Sequence, residues 1–184
     1  IAEAGVWRGF SAHLIAQYLA SKIPGWQGQG MHLIDSFSGL RTPQPEDIIT
    51  DKNGLKHVTK HRHNFKSTVD EVRSAFSDFP EITIHAGWIP DVLAMLPDRR
   101  WSFVHIDTDH YQPTFDSLNY FIAEMQYNSA ILEDDYGSAL FPGAKNAWDE
   151  VCQARGLAFD VLSTGQSLLR KSLPFPPNPF KPDE

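Results

Sequence analysis

Cysteine is almost missing. Cys152 is the only one in 184 residues, which excludes an internal disulfide and any cysteine-rich zinc site. Basic residues are scarce too, with 16 lysines and arginines against 23 aspartates and glutamates, a formal net charge of −7. No lysine or arginine cluster stands out, so the chain is a poor candidate for gripping a phosphate backbone, and nucleic acid is not expected as a partner. No apolar run approaches the ~20 residues that span a bilayer, which argues against a membrane partner. No signal-peptide pattern and no internal repeat is present. What the chain does have is 41% apolar and 12% aromatic residues, enough for one well-packed globular domain. The expectation is a single soluble, cytoplasmic domain. The sequence opens at Ile1, inside a strand-like run, and residues are expected to precede it.

Short β-rich runs alternate with helical patterns, which predicts an α/β fold with a mostly parallel sheet and helices on both faces. Strand candidates are Ile1–Glu3, Met31–Ile34, Ile82–His85, Phe103–Ile106, Ala130–Leu132, Ala158–Leu162 and Ser167–Leu169. Ser11 is a suitable N-cap for a first helix with Leu14, Ile15, Tyr18 and Leu19 on one face. Thr68 with Glu71 reads as a capping box, with Val69, Val72 and Phe76 turned inward. Pro113 suits the first turn of a helix carrying Leu118, Phe121, Ile122 and Met125. Ala144–Ala154 forms another, with Gly156 as its C-terminal stop. Residues 36–66 interrupt the alternation and are expected to be a mobile loop. Residues 1–171 form the domain, and 172–184 a proline-rich tail that runs extended, with Phe175 and Phe180 suited to contact a neighbouring subunit in a homodimer or larger homo-oligomer.

Ligands of open α/β sheets bind beyond the carboxyl ends of the strands. There the sequence places Glu3, Gly5 and Gly9, then Asp35, then Gly87 and Trp88, then Asp107 and Asp109, then Glu133, Asp134 and Asp135. The Glu3–Gly9 turn is not the G-x-G-x-x-G of dinucleotide binders, which disfavours NAD. Its acid and glycines, with Asp35 placed for ribose hydroxyls, suit a ligand with a ribose and a charged amino-acid end, namely S-adenosylmethionine. Carboxylates crowded together signal a cation or a raised pKa, and oxygen donors without thiolates favour Mg²⁺ or another hard divalent cation. The bland alternative is that these acids cap helices and bind water.

Five stretches carry a more specific resemblance: EAGVWRGFS, LIDSFSGL, HAGWIPDVL, FVHIDTDHYQPTFDSL and EDDYGSALFPGAKNAWDE. In this order, over most of residues 1–150, the chain resembles the macrocin O-methyltransferase family of S-adenosylmethionine- and Mg²⁺-dependent sugar methyltransferases. The resemblance implies a seven-stranded Rossmann-like class I methyltransferase sheet with an antiparallel last strand, and a small hydroxylated acceptor. It implies Glu3, Gly5, Gly9 and Asp35 as cofactor contacts, joined by the neighbouring Ser11, Ser36, Gly87, Trp88 and Asp107. It implies Asp107, Asp134 and Asp135 as metal ligands and Asp109 as general base, with the roles of Asp107 and Asp109 open to exchange. Phe10 stands where the family usually has a second glycine, which is expected to narrow the cofactor turn.

Other residues are read more plainly. His57, His61 and His63 have spacing that could suit a transition metal, but a solvated loop is the simpler reading. His110 is the histidine placed to act as an auxiliary base, while His105 is read as structural. Trp7, Trp26, Trp101 and Trp148 are core or interface candidates, and Trp88 could cover an adenine. Cys152 reads as a small buried apolar residue. Two other functions stay open: a D-x-D glycosyltransferase, which leaves Glu3, Gly5 and Asp35 unexplained, and a non-catalytic S-adenosylmethionine-binding subunit.

Overall fold

Seven strands make one sheet in a computed structural model that describes residues 1–58 and 65–172. The strands in chain order are β1 (Ala2–Ala4), β2 (His32–Asp35), the short pair β3 (Ile49–Thr50) and β4 (Lys56–His57), β5 (Thr83–Ala86), β6 (Trp101–Ile106), β7 (Met125–Glu133), β8 (Asp160–Val161) and β9 (Ser167–Lys171). The main sheet runs β5-β2-β1-β6-β7-β9-β8, and β3 pairs with β4 apart from it. Its first five strands are parallel, whereas β9 is antiparallel to both β7 and β8. The expected α/β architecture is what the chain adopts.

Successive side chains of a strand point to opposite faces, so the sheet has two cores. On one face Ile34, Val104, Ile106 and Ile131 pack with Trp101, Leu118, Phe121, Trp148 and Val151. These last come largely from helices α3 (Tyr111–Glu124) and α4 (Pro142–Ala154). On the other face Met31 and Leu33 meet Ala12, Ala16, Val72 and Phe76, supplied by α1 (Phe10–Lys22) and by α2 (Val69–Ala75) with its C-cap. Thr68 forms the expected capping box, its hydroxyl accepting from Glu71 N–H at 3.1 Å. Cys152 is buried, and burial pushes its thiol up to about 12.

Several local expectations change. The N-cap of α1 is Gly9 (φ 84°), not Ser11, whose hydroxyl instead donates to Glu3. A Cβ at Gly9 would lie 2.6 Å from the Phe76 ring, so both the left-handed backbone and the space demand glycine there. The buried face of α1 consists of Ala12 and Ala16, small enough for close approach to the sheet. Phe10, Leu14 and Tyr18 stand exposed, and Phe10 and Leu14 also line the cavity beside the turn. Met125 begins β7 rather than ending α3. Trp7 is partly exposed and joins no core.

Residues 36–58 carry local structure within the expected loop. They contain a 3₁₀ turn (Pro45–Asp47) and the β3–β4 pair, and a bridge between Ser38 and Lys66 closes the segment's base. His57 is exposed, while His61 and His63 lie outside the described residues, as does the tail from residue 173. Among the described residues no helix is long and apolar enough to cross a membrane.

Candidate active site

A cavity of about 680 Å³ opens along the carboxyl ends of the parallel strands, within the range that small-molecule sites occupy. Its walls come from successive strand ends. β1 leads into Gly5, Val6 and Trp7; β2 ends on Asp35 and continues to Ser36; β5 is followed by Gly87 and Trp88; β6 is followed by Asp107, Thr108 and Asp109; and Asp134 follows β7. Ser11 lines it as well.

The first turn is held by close backbone approach. Gly5 (φ 84°) donates its N–H to Ile34 O at 2.9 Å, and a Cβ on Gly5 would lie 1.6 Å from Asp107 O. Only glycine lets the β1 and β6 ends meet. The Asp35 carboxylate knits the turn to β2, with Oδ2 accepting from Val6 N–H at 2.7 Å and Trp7 N–H at 2.9 Å, and Oδ1 accepting from Phe37 N–H at 2.6 Å. Each carboxylate oxygen has about two acceptor sites, so Oδ1 retains one for a ligand hydroxyl. At the far end of the cavity the Arg41 guanidinium lies 5.0 Å from the Trp88 ring centre, a cation–π contact.

Glu3 is placed differently from the other expected cofactor contacts. It is fully buried and does not line the cavity. Its Oε1 accepts from the Ser11 hydroxyl and lies 2.9 Å from His105 Nδ1. His105 lines the cavity and extends its Nε2 to 3.5 Å from Asp134 Oδ1, an ion-pair distance rather than a hydrogen bond. Burial alone would lower the His105 pKa, but the Asp134 and Glu3 carboxylates overcome it and push it up to about 10. The same pairing holds Asp134 below the usual carboxylate range. His105 thus sits between two acids at the edge of the site, and its buried pairing with Glu3 agrees with the structural reading. Parallel pairing sets His105 opposite Glu3.

Beyond His105 the acids gather. Ligand-capable atoms of Asp107, Asp109 and Asp135 all lie within 4.8 Å of one another. Asp109 adopts a left-handed backbone (φ 60°), uncommon outside glycine, and its N–H donates to Asp135 Oδ2 at 3.1 Å. Burial first, then the Asp135 charge, pushes Asp107 up to about 8 and Asp109 up to about 9. Asp135 rises to about 6 by burial and the charge of Asp134. This trio differs from the expected Asp107, Asp134 and Asp135 by holding Asp109. Asp134 instead accepts from Gln166 Nε2 at 2.6 Å and faces His105. Glu133, buried at the end of β7, accepts from Asp135 N–H at 3.1 Å.

A family model for macrocin O-methyltransferases matches residues 1–166. One relative is the 8-demethyl-8-(2,3-dimethoxy-alpha-L-rhamnosyl)-tetracenomycin-C 4'-O-methyltransferase of Streptomyces olivaceus, 25% identical over 142 residues, 74% of this chain and 52% of that protein. Another is the demethyldecarbamoylnovobiocin O-methyltransferase of Streptomyces niveus, 26% identical over 156 residues, 82% of this chain and 56% of that protein. The chain therefore spans about half the length of these relatives. Among solved structures, the O-methyltransferase NovP superposes with a TM-score of 0.76 at 22% identity, covering 94% of this chain and 72% of its own. The calicheamicin methyltransferase CalS11 gives 0.73 at 21%, covering 92% and 71%. At these identities the structures establish the fold.

Proposed function

The chain belongs to the macrocin O-methyltransferase family, and from that premise we propose that it moves the methyl group of S-adenosylmethionine to a hydroxyl of a sugar or sugar-bearing small molecule, with Mg²⁺ or another hard divalent cation at the acid cluster. The observation that carries this reading is one continuous cavity joining the Gly5–Asp35 turn to Asp107 and Asp109, two of the three clustered carboxylates, and to Asp134. The relatives' names point to glycosylated natural products as acceptors.

The residues present fit both groups. The cavity volume suits a nucleoside-sized ligand, Asp35 Oδ1 keeps an acceptor site for a ribose hydroxyl, and Trp88 offers a flat aromatic face. The acid cluster is an all-oxygen donor set whose mutual repulsion a hard cation would relieve. When bound, S-adenosylmethionine supplies a methyl already activated on a sulfonium, and the cation makes a hydroxyl easier to deprotonate.

The chain's own residues then have distinct tasks. Gly5, Gly9, Ser36, Gly87 and Asp35 shape and knit the cofactor turn. Glu3 acts from beneath it, holding Ser11 and His105 in place. Asp107 and Asp135 would hold the cation, with Asp134 as the third carboxylate that the family resemblance implies. Asp109 would accept the hydroxyl proton once a cation offsets the neighbouring acids that, with burial, hold its carboxyl protonated at neutral pH. The walls contributed by Val6, Ile34, Ile89, Phe103 and Leu132 exclude water and align the reacting groups.

Calorimetry with S-adenosylhomocysteine and with a UDP-sugar tests the assignment. Binding of the first and not the second is expected, whereas UDP-sugar binding alone overturns it in favour of a glycosyltransferase. Metal-dependent turnover then separates an enzyme from a non-catalytic cofactor-binding subunit. A homodimer or larger homo-oligomer in the cytoplasm completes the proposal; of the exposed apolar residues on α1, Tyr18 lies outside the cavity lining, whereas Phe10 and Leu14 line it. Light scattering that gives a monomer at micromolar concentration contradicts the dimer.

A further inference from the structure

Asp47 has no part in the cofactor turn or the acid cluster, yet it is buried in a segment otherwise largely exposed. Both of its oxygens are used. Oδ1 accepts from Tyr111 N–H, the first residue of α3, at 2.7 Å, and Oδ2 accepts from Gln44 N–H at 2.8 Å. One carboxylate therefore joins the 3₁₀ turn to the helix that begins two residues after Asp109. A negative side chain at a helix N-terminus is also favoured by the helix dipole.

Two features outside Asp47 show that the site is built around it. Gly143, in the first turn of α4, leaves the room it occupies: a Cβ there would lie 1.7 Å from Asp47 Oδ1 and 2.6 Å from Tyr111 N. Asn146, one turn further on, donates its Nδ2–H to Glu46 O at 2.9 Å. The segment is thus tied to α3 and α4 at this end. At its other end Leu40 and Arg41 line the cavity, and Arg41 stacks on Trp88. It crosses from the Trp88 side of the cavity to the helix that follows the acids.

We propose that Asp47 is a positioning residue, a strut that anchors the segment leading from the cavity-lining Leu40 and Arg41 and sets the first turn of α3 behind Asp109. This rests on the methyl-transfer reading only for its consequence in catalysis; the strut itself is a statement about two backbone amides. Its chemistry separates it from simple packing. Asparagine can present one oxygen to Tyr111 N–H, but its amide nitrogen cannot accept from Gln44 N–H.

Amide hydrogen exchange by NMR on the whole chain reads both contacts. In Asp47→Ala, exchange at Tyr111 and at Gln44 is expected to quicken about tenfold or more, as loss of hydrogen bonds to a charged group implies. In Asp47→Asn, Tyr111 stays protected while Gln44 quickens. Gly143→Ala keeps the carboxylate but takes its space, and is expected to free both amides. If Asp47→Ala does not fold, Asp47→Asn and Gly143→Ala decide. Wild-type exchange at both amides in Asp47→Asn and Gly143→Ala overturns the strut, as does equal quickening of the two in Asp47→Asn. For catalysis, a rhamnoside serves as acceptor probe, after the rhamnosyl group in one relative's name, and S-adenosylhomocysteine as cofactor probe. Asp47→Asn should lower kcat about tenfold through the first turn of α3 behind Asp109 and, because Arg41 lies against Trp88, weaken S-adenosylhomocysteine about threefold. Unchanged kcat and unchanged cofactor affinity with quickened exchange overturn the positioning role. Absence of transfer by the wild type counts against the methyl-transfer reading and leaves the exchange result to judge the strut.

Discussion

Replacing Asp107 with asparagine should stabilise the metal-free protein at neutral to alkaline pH, although it removes a residue proposed to serve catalysis. Burial and the charge of Asp135 raise Asp107 from 3.8 to about 8 in the folded chain. The sign follows from proton counting. Between these two values the native state holds a proton that the unfolded chain has released, so stability falls as pH rises across that window. At pH 7 the mismatch spans about three pH units, worth ~4 kcal/mol, and relaxation with water entry brings a measurable gain nearer ~2 kcal/mol. Asparagine keeps the shape and removes the cost. For a chain of this length, ~2 kcal/mol corresponds to roughly 4–8 °C in Tm. The assay is thermal unfolding in excess chelator at several pH values. The variant should melt higher at about pH 8, with the difference shrinking toward about pH 4. Adding Mg²⁺ should reverse the order, because ligand binding to the native state stabilises only the protein that keeps its donors. A variant that melts lower than wild type at pH 8 without metal refutes the reasoning.

Other substitutions probe the rest of the site. Asp35→Ala removes the acceptor of three backbone amides, so S-adenosylhomocysteine affinity measured by calorimetry should fall by about 1.5–3 kcal/mol, with a lower Tm. Unchanged affinity removes Asp35 from the site. Glu3→Ala leaves His105 buried beside Asp134 alone and should cost about 3 kcal/mol in chemical denaturation; a loss within about 0.5 kcal/mol refutes the buried pairing. Gly5→Ala drives a Cβ into Asp107 O and should abolish folding or cofactor binding, read by circular dichroism and calorimetry. Asp134→Asn and Asp109→Asn are expected to part ways in Mg²⁺ titrations, the first weakening metal and the second sparing metal but losing turnover. Equal loss of metal in both makes Asp109 a ligand instead of the base.

The parallel sheet was legible because its strands are short apolar runs separated by helical periods, and the strand-end rule then gathered Asp35, Trp88, Asp107, Asp109, Asp134 and Asp135 onto one edge. The side-chain geometry of the acids was not legible. Asp109 approaches Asp107 and Asp135 through a left-handed backbone that no spacing announces, and Asp134 accepts a hydrogen bond from Gln166, 32 residues away in sequence. His105 was read as structural, and the parallel pairing of β1 with β6 does set it opposite the buried Glu3. The face of α1 was misjudged because periodicity favours large apolar residues, whereas close packing on the sheet selected Ala12 and Ala16. Asp47 left no trace in the sequence reading, since its partners, Tyr111 and Gly143, are far along the chain.

The central claim is methyl transfer that needs a cation at the acid cluster, and one measurement addresses it most directly. The whole chain is incubated with S-adenosylmethionine and a panel of rhamnosides and other glycosides, in Mg²⁺ or in excess chelator, and products are weighed by mass spectrometry. A product heavier by one methylene unit should form in Mg²⁺, vanish in chelator while S-adenosylhomocysteine still binds, and be lost in Asp109→Asn. Equal yield with and without chelator contradicts the account.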